Sequence, residues 1–155
     1  MTGRGAPLES EVFIALLRAG DSLLRELEEL LKGEELTHTQ YNVLRILRGA
    51  ARESKAQGET GGLPCGEIAA RMITRDPDIT RLLDRLEARG LVARSRQKQD
   101  RRVVQARITT AGVKLLRGLD TPVEALHKQQ MRGIPPGRLR ALLDLLEEVR
   151  AAGKR

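Results

Sequence analysis

The chain has 155 residues, with 28 Lys and Arg against 21 Asp and Glu, a net charge of +7 and a single cysteine, Cys65. One cysteine excludes an internal disulfide and a cysteine metal cluster, and fits a reducing cytoplasm. No apolar run opens the chain as a signal peptide would, and none approaches the length of a membrane span. Two aromatics, Phe13 and Tyr41, are too few for the stacking platforms of a single-strand nucleic-acid binder or for an aromatic-lined pocket.

From Leu8 to Leu31 apolar residues recur at helical spacing in two adjacent stripes. Val12, Leu16, Leu23, Leu27 and Leu30 form one; Phe13, Leu17, Leu24 and Leu31 form the other. That face is wider than one small core needs. "THTQ" is a capping box, Thr37 at the cap and Gln40 three residues on, and opens a helix with Val43, Leu44 and Leu47 inward. "ESKAQGETGGLPCG", from Glu53, is polar and Gly-rich and is expected to be a loop. "GEIAARM" is a short helix with Ile68, Ala69 and Met72 as its buried side.

"TRDPDITRLLDRLEARG" is the next helix, with Thr74 or Asp76 as cap, Pro77 in its first turn and Gly90 as its stop. Ile79, Leu82, Leu83 and Leu86 make one narrow stripe, so Pro77, Arg81, Asp84 and Arg85 point away from the core. Two strands follow, near Leu91–Arg96 and Val103–Ile108. Thr109 then starts a long helix containing Val113, Leu116, Leu119, Val123 and Leu126, which Pro122 should kink or interrupt. After "GIPPG" a last amphipathic helix runs from about Pro136 to Arg150. Tyr41 and Phe13 are expected in the core.

The charge is concentrated. Between Arg71 and Arg107 eleven basic residues face five acids, which is +6 of the chain's +7. Six of them lie on the hairpin itself: Arg94, Arg96, Lys98, Arg101, Arg102 and Arg107. The order helix, helix, short helix, helix, basic hairpin is that of a winged helix-turn-helix. In such a unit one helix enters the major groove of B-DNA and the hairpin lies along the adjoining backbone or minor groove. Arg and Lys there meet phosphates and the groove's negative potential.

The run Leu86 to Arg94 (Leu-Glu-x-x-Gly-Leu-Val-x-Arg), the Asp-x-Arg at Asp100 and Arg102, and the Thr-x-x-Gly at Thr109 and Gly112 together resemble the MarR (multiple antibiotic resistance regulator) family of bacterial transcription regulators. The motif match covers roughly residues 36–118. The resemblance implies a mainly α fold with a small β-hairpin wing: a winged helix-turn-helix over about 36–109, flanked by dimerisation helices at about 8–31 and 110–152, all in one domain over 1–155. It implies a homodimer on a pseudo-palindromic operator in double-stranded DNA. The wide apolar face of 8–31 and the leucine-rich 136–150 independently ask for a second copy; the alternative is that they pack on each other as an αα-hairpin.

Arg81, on the exposed face near the helix start, is the candidate reader of guanine O6 and N7, and Arg85 a candidate backbone contact. Arg75 and Thr80 join them. Asp76 and Asp78 depart from the Ser/Thr-rich opening usual in the family; they suit helix capping and the dipole, with Asp78 as an alternative acceptor from a cytosine amino group. On the wing, Arg102 is the candidate minor-groove contact, braced by Asp100 through a salt bridge, a pairing the resemblance supports. Arg96, Lys98 and Arg101 are candidate phosphate contacts.

His38 and His127 are lone and, with one Cys, make no convincing zinc site; Cys65 is read as a small residue near a helix start. No catalytic constellation is visible. The expectation is therefore a cytoplasmic, non-enzymatic DNA-binding regulator, read as a repressor, without cofactor or metal. The resemblance also allows a small-molecule effector, which the sequence does not name. The competing expectation is a winged-helix module for protein–protein or RNA contact, whose mark would be an uncharged recognition face.

Overall fold

The computed structural model describes residues 6–57, 61–75 and 78–153. In chain order they form α1 (Leu8–Leu31), a short 3-10 turn (Lys32–Glu34), α2 (His38–Gln57), β1 (Leu63–Pro64), α3 (Cys65–Arg71), α4 (Ile79–Ala88), β2 (Val92–Arg96), β3 (Val104–Ile108), α5 (Thr110–Gln130) and α6 (Pro136–Ala152). The chain is mainly α with a small antiparallel sheet, as expected. By contact density residues 1–123 form one unit and 124–155 another.

In the first unit, Leu31, Val43, Leu44, Leu47, Ile68, Leu83, Leu86, Val92 and Leu116 are fully or almost fully buried, so every helix from α1 to α5 and the sheet contribute to one core. Each such side chain stabilises the fold by roughly 1.5–3 kcal/mol through apolar burial. The capping box forms as read. The Thr37 N–H donates to Gln40 Oε1 (3.0 Å), and the Gln40 N–H donates to Thr37 Oγ1 (3.2 Å). This satisfies donors that the start of α2 would otherwise leave unpaired.

Several expectations are corrected. α2 does not end near Glu53 but continues to Gln57. Its last turns are polar because they face solvent, and Glu, Ser and Lys do not break a helix. The sheet has three strands, in the order β1-β3-β2, because Leu63 and Pro64 pair antiparallel with Ala106 and Gln105. Ala69 is exposed, since a seven-residue helix turns only Ile68 fully inward. α5 runs through Pro122 without interruption.

Phe13 is 62% exposed rather than in the core. It shares the outer half of α1 with Leu8, Val12, Ile14 and Leu17, all exposed, while Leu27, Leu30 and Leu31 pack on the core. In the second unit, α6 exposes Leu142, Leu143, Leu145, Leu146 and Val149. Among the described residues no helix is long and apolar enough to cross a membrane.

Candidate nucleic-acid interface

α3, the turn after it and α4 form the helix-turn-helix, and β2 and β3 form the wing. The turn before α4 is pinned from behind by α2. The Ile73 N–H donates to Asn42 Oδ1 (2.9 Å), and Thr74 Oγ1 lies 3.4 Å from His38 Nε2. The other nitrogen of that ring, Nδ1, is 2.6 Å from Glu28 Oε1 on α1. His38 is thus not isolated but bridges α1, α2 and the turn.

Asp78 caps α4: its carboxylate accepts the Arg81 N–H at 2.9 Å. The capping role read for Asp78 is borne out, the cap is not Thr74, and α4 begins at Ile79. Asp76 and Pro77, to which the cap and first turn were also assigned, lie outside the described residues. Arg81 is exposed, with its Nε 3.4 Å from Asp78 Oδ2. Such an exposed pair is worth about 0–1 kcal/mol, little against a bidentate contact to a base. Thr80 and Arg85 are exposed on the same helix, and Arg75 is exposed on the turn before it.

α4 stops where Gly90 enters the left-handed region at φ +69°. The Gly90 N–H donates to the Glu87 carbonyl (2.8 Å) and the Leu91 N–H to the Leu86 carbonyl (3.0 Å). This pair of bonds is a Schellman motif, and its apolar partners Leu86 and Leu91 are both buried. It directs the chain into β2. Arg89, at the same corner, donates to the carbonyls of Glu35 (2.8 Å) and Glu34 (2.9 Å), tying α4 to the turn after α1.

On the wing β2 and β3 pair from Val92 with Ile108 to Arg96 with Val104. The Gln97 N–H donates to the Val103 carbonyl (2.9 Å) and the Val103 N–H to the Asp100 carbonyl (3.0 Å), closing the tip. Asp100 does not brace Arg102 by a salt bridge. Its carboxylate accepts the Arg102 backbone N–H at 2.9 Å, because an Asp in a tight turn reaches the amide two residues on more readily than a long side chain. The effect is to shape the turn, and among the described residues the Arg102 guanidinium has no carboxylate partner. Arg96 donates to the Arg101 carbonyl across the tip (3.3 Å). Arg96, Gln97, Lys98 and Arg101 line an open recess of about 380 Å³.

The eleven basic residues of this segment divide by partner. Arg71 pairs with Glu53 and Glu67, Arg81 with Asp78, and Arg94 with Asp84 and Glu87, while Arg89 binds carbonyls. Among the described residues Arg75, Arg85, Arg96, Lys98, Arg101, Arg102 and Arg107 have no carboxylate partner. Six of these seven are candidates already named. Arg94 and Arg89 are the residues that sequence reasoning passed over. Asp84 and Glu87, three apart on α4, were a visible signal of a shared cation, but its source on β2 was not.

Behind the wing, the Thr-x-x-Gly motif has a mechanical explanation. Thr109 Oγ1 donates to the Gly90 carbonyl (2.7 Å) and accepts the Gly112 N–H (3.1 Å), so it caps α5 and clasps the α4–β2 corner. A Cβ on Gly112 would sit 2.5 Å from the Leu91 carbonyl oxygen and 2.7 Å from Ile108 Cγ1. Only glycine permits that approach. Among the described residues no group of three or more His, Cys, Asp or Glu is placed to hold a metal ion.

Comparison with known proteins agrees with this geometry. The model of the MarR family matches residues 36–104. The chain is 35% identical over 153 residues to the HTH-type transcriptional regulator TtmR of Methylorubrum extorquens, covering 96% of this chain and 71% of the relative. It is 27% identical to the homoprotocatechuate degradative operon repressor of Escherichia coli, covering 94% and 92%. Among solved structures, the MarR transcription factor of Planctomyces limnophilus is 39% identical, with a TM-score of 0.66 and coverage of 93% and 98%. The winged helix-turn-helix, the Thr-x-x-Gly clasp and these likenesses converge: the chain belongs to the MarR family of transcriptional regulators.

Proposed function

We propose that the chain is a cytoplasmic, non-enzymatic repressor that binds a pseudo-palindromic operator as a homodimer. The observation that carries this is the division of charge. Among the described residues the acids near α4 and the wing are taken up by caps and ion pairs, whereas seven cations on the turn, α4 and the wing have no carboxylate partner. A phosphate backbone is the partner that such an array meets without desolvating unpaired charge. In this arrangement Arg81, Thr80 and Arg75 face base edges, with Asp78 held back as the cap. Arg85, Arg96, Lys98 and Arg101 bind phosphates, and Arg102 enters the minor groove. A recognition face so charged disfavours a protein–protein module.

The exposed apolar residues of α1, and separately those of α6, are the surface for the second copy. The test is selection of binding sites from random duplex DNA, with sedimentation of the free protein. We expect an inverted repeat with half-site centres about one helical turn apart, and a particle of twice the chain mass. A monomer, or recovery of no preferred sequence, would refute the proposal.

A further inference from the structure

Arg94 is the most heavily bonded cation of the wing, yet it is directed away from any phosphate role. Its side chain is 24% exposed. Nε donates to Glu87 Oε2 (2.9 Å), and Nη2 donates to Glu87 Oε2 (2.6 Å) and to Asp84 Oδ1 (2.5 Å). The Arg94 backbone N–H adds a bond to Glu87 Oε1 (3.2 Å). Glu87 therefore uses both oxygens on one residue of β2, and Asp84 holds the same guanidinium from one turn earlier on α4.

We propose that Arg94, through Asp84 and Glu87, is a positioning residue that fixes the angle between the recognition helix and the wing, so that both reach one DNA duplex together. Three features support this. The cluster joins two elements that the preceding assignment places in different grooves. Its bonds are charge-assisted and fork-shaped, the geometry in which Arg constrains direction as well as distance. It also keeps two carboxylates on a helix meant for DNA, where each would repel phosphate unless a cation held it. Apart from this cluster, α4 and β2 are joined by the tight Gly90 corner along the chain and by non-directional apolar packing of Leu86 and Val92 in the shared core.

The inference rests on the DNA-binding role proposed above, and it makes a prediction opposite in sign to simple electrostatics. The double variant Asp84→Asn/Glu87→Gln removes two negative charges per protomer. Charge alone would tighten DNA binding and steepen its salt dependence. Loss of positioning would instead weaken operator binding by about tenfold, the factor that corresponds to one charged hydrogen bond.

The experiment measures operator affinity against salt for the wild type, this variant, Arg94→Gln and Arg94→Lys. Amide exchange of residues 92–96 is followed in the free proteins. We expect weaker binding by both glutamine-bearing variants with the salt slope of the wild type, partial recovery in Arg94→Lys, and faster exchange on β2 with α4 unchanged. Tighter binding by the double variant, or a slope reduced by about one ion per Arg94→Gln protomer, would overturn the inference. Failure of the wild type to bind any DNA would instead refute the assignment beneath it, while the exchange data still reported whether Arg94 holds the wing.

Discussion

Replacing Gly112 by alanine should destabilise the protein although alanine is the better helix former. Gly112 lies in the first turn of α5, where the new methyl would stand 2.5 Å from the Leu91 carbonyl oxygen and 2.7 Å from Ile108 Cγ1. Ordinary contact begins near 3.4 Å, so about 0.9 Å must be found. The carbonyl cannot easily give way, because it accepts the Thr109 N–H at 3.1 Å. Helix propensity returns at most about 1 kcal/mol for Gly→Ala. Overpacking against fixed backbone costs about 1–3 kcal/mol, so a net loss of about 1–2 kcal/mol is expected.

Gly49, in the middle of α2, supplies the control. Nothing lies within 4 Å of its Cβ position, so Gly49→Ala should stabilise by up to about 1 kcal/mol. Equilibrium unfolding in urea, at one protein concentration because assembly shifts the midpoint, reads both. Midpoints should move in opposite directions with unchanged m-values. A Gly112→Ala protein as stable as the wild type would refute the clasp between α5 and the α4–β2 corner.

Arg102→Ala should weaken binding to operator and random duplex alike, and lower the salt slope by about one ion per wing. Arg81→Ala should lose preference for operator over random DNA by about 1–3 kcal/mol per half-site if it reads a guanine, as gel-shift titrations would show. Hydrogen bonds from Arg48 hold the Asp120 carboxyl below its usual pKa, and Arg94 does the same for Glu87. A lowered folded pKa gives stability that is complete above the unfolded value and is lost as pH falls through the folded one. Stability should therefore begin to fall near the ordinary carboxylate range of about 4 and continue to fall below it. Arg48→Met should flatten that decline by about 1 kcal/mol or less, since Asp120 is nearly half exposed and screened; acid titration of the urea midpoint checks this. Leu83→Ala, at a fully buried position on α4, should cost about 2–5 kcal/mol in the same assay.

Features written in local chemistry were legible before any coordinates. The Thr37–Gln40 box, Gly90 and the period of Ile79, Leu82, Leu83 and Leu86 each act within a few residues, so α2, α4 and the wing appeared near their observed places. What was missed depends on distant partners. β1 is two residues long and contains Pro64, so it has no period to detect and takes its identity from β3. Arg94 looked like one more wing cation until α4 supplied two carboxylates. Asp100 and Arg102 were correctly seen as linked, but the donor is the backbone amide, a distinction that residue types do not encode. The outward exposure of Phe13 was equally hidden, since a wide apolar face does not say whether its cover lies in the same chain.

The three-stranded sheet carries a consequence for the order of folding. The hairpin of β2 and β3 closes across residues 97–103, whereas Leu63 must find Ala106 from a distant part of the chain. Closing that longer loop costs about 1.5 kcal/mol more chain entropy than closing the hairpin, and the reward is small. Only two residue pairs meet, and Pro64 has no amide hydrogen to donate. The hairpin should therefore form early and the β1 seam late, and the same seam should be the first to part in the native protein. Cys65 begins α3 directly beyond the seam and is partly buried. The rate at which a thiol reagent reaches it should rise with these openings, so that the chain's single cysteine reports the parting of the β1 seam while the hairpin stays closed and Ile68 still holds α3 in the core.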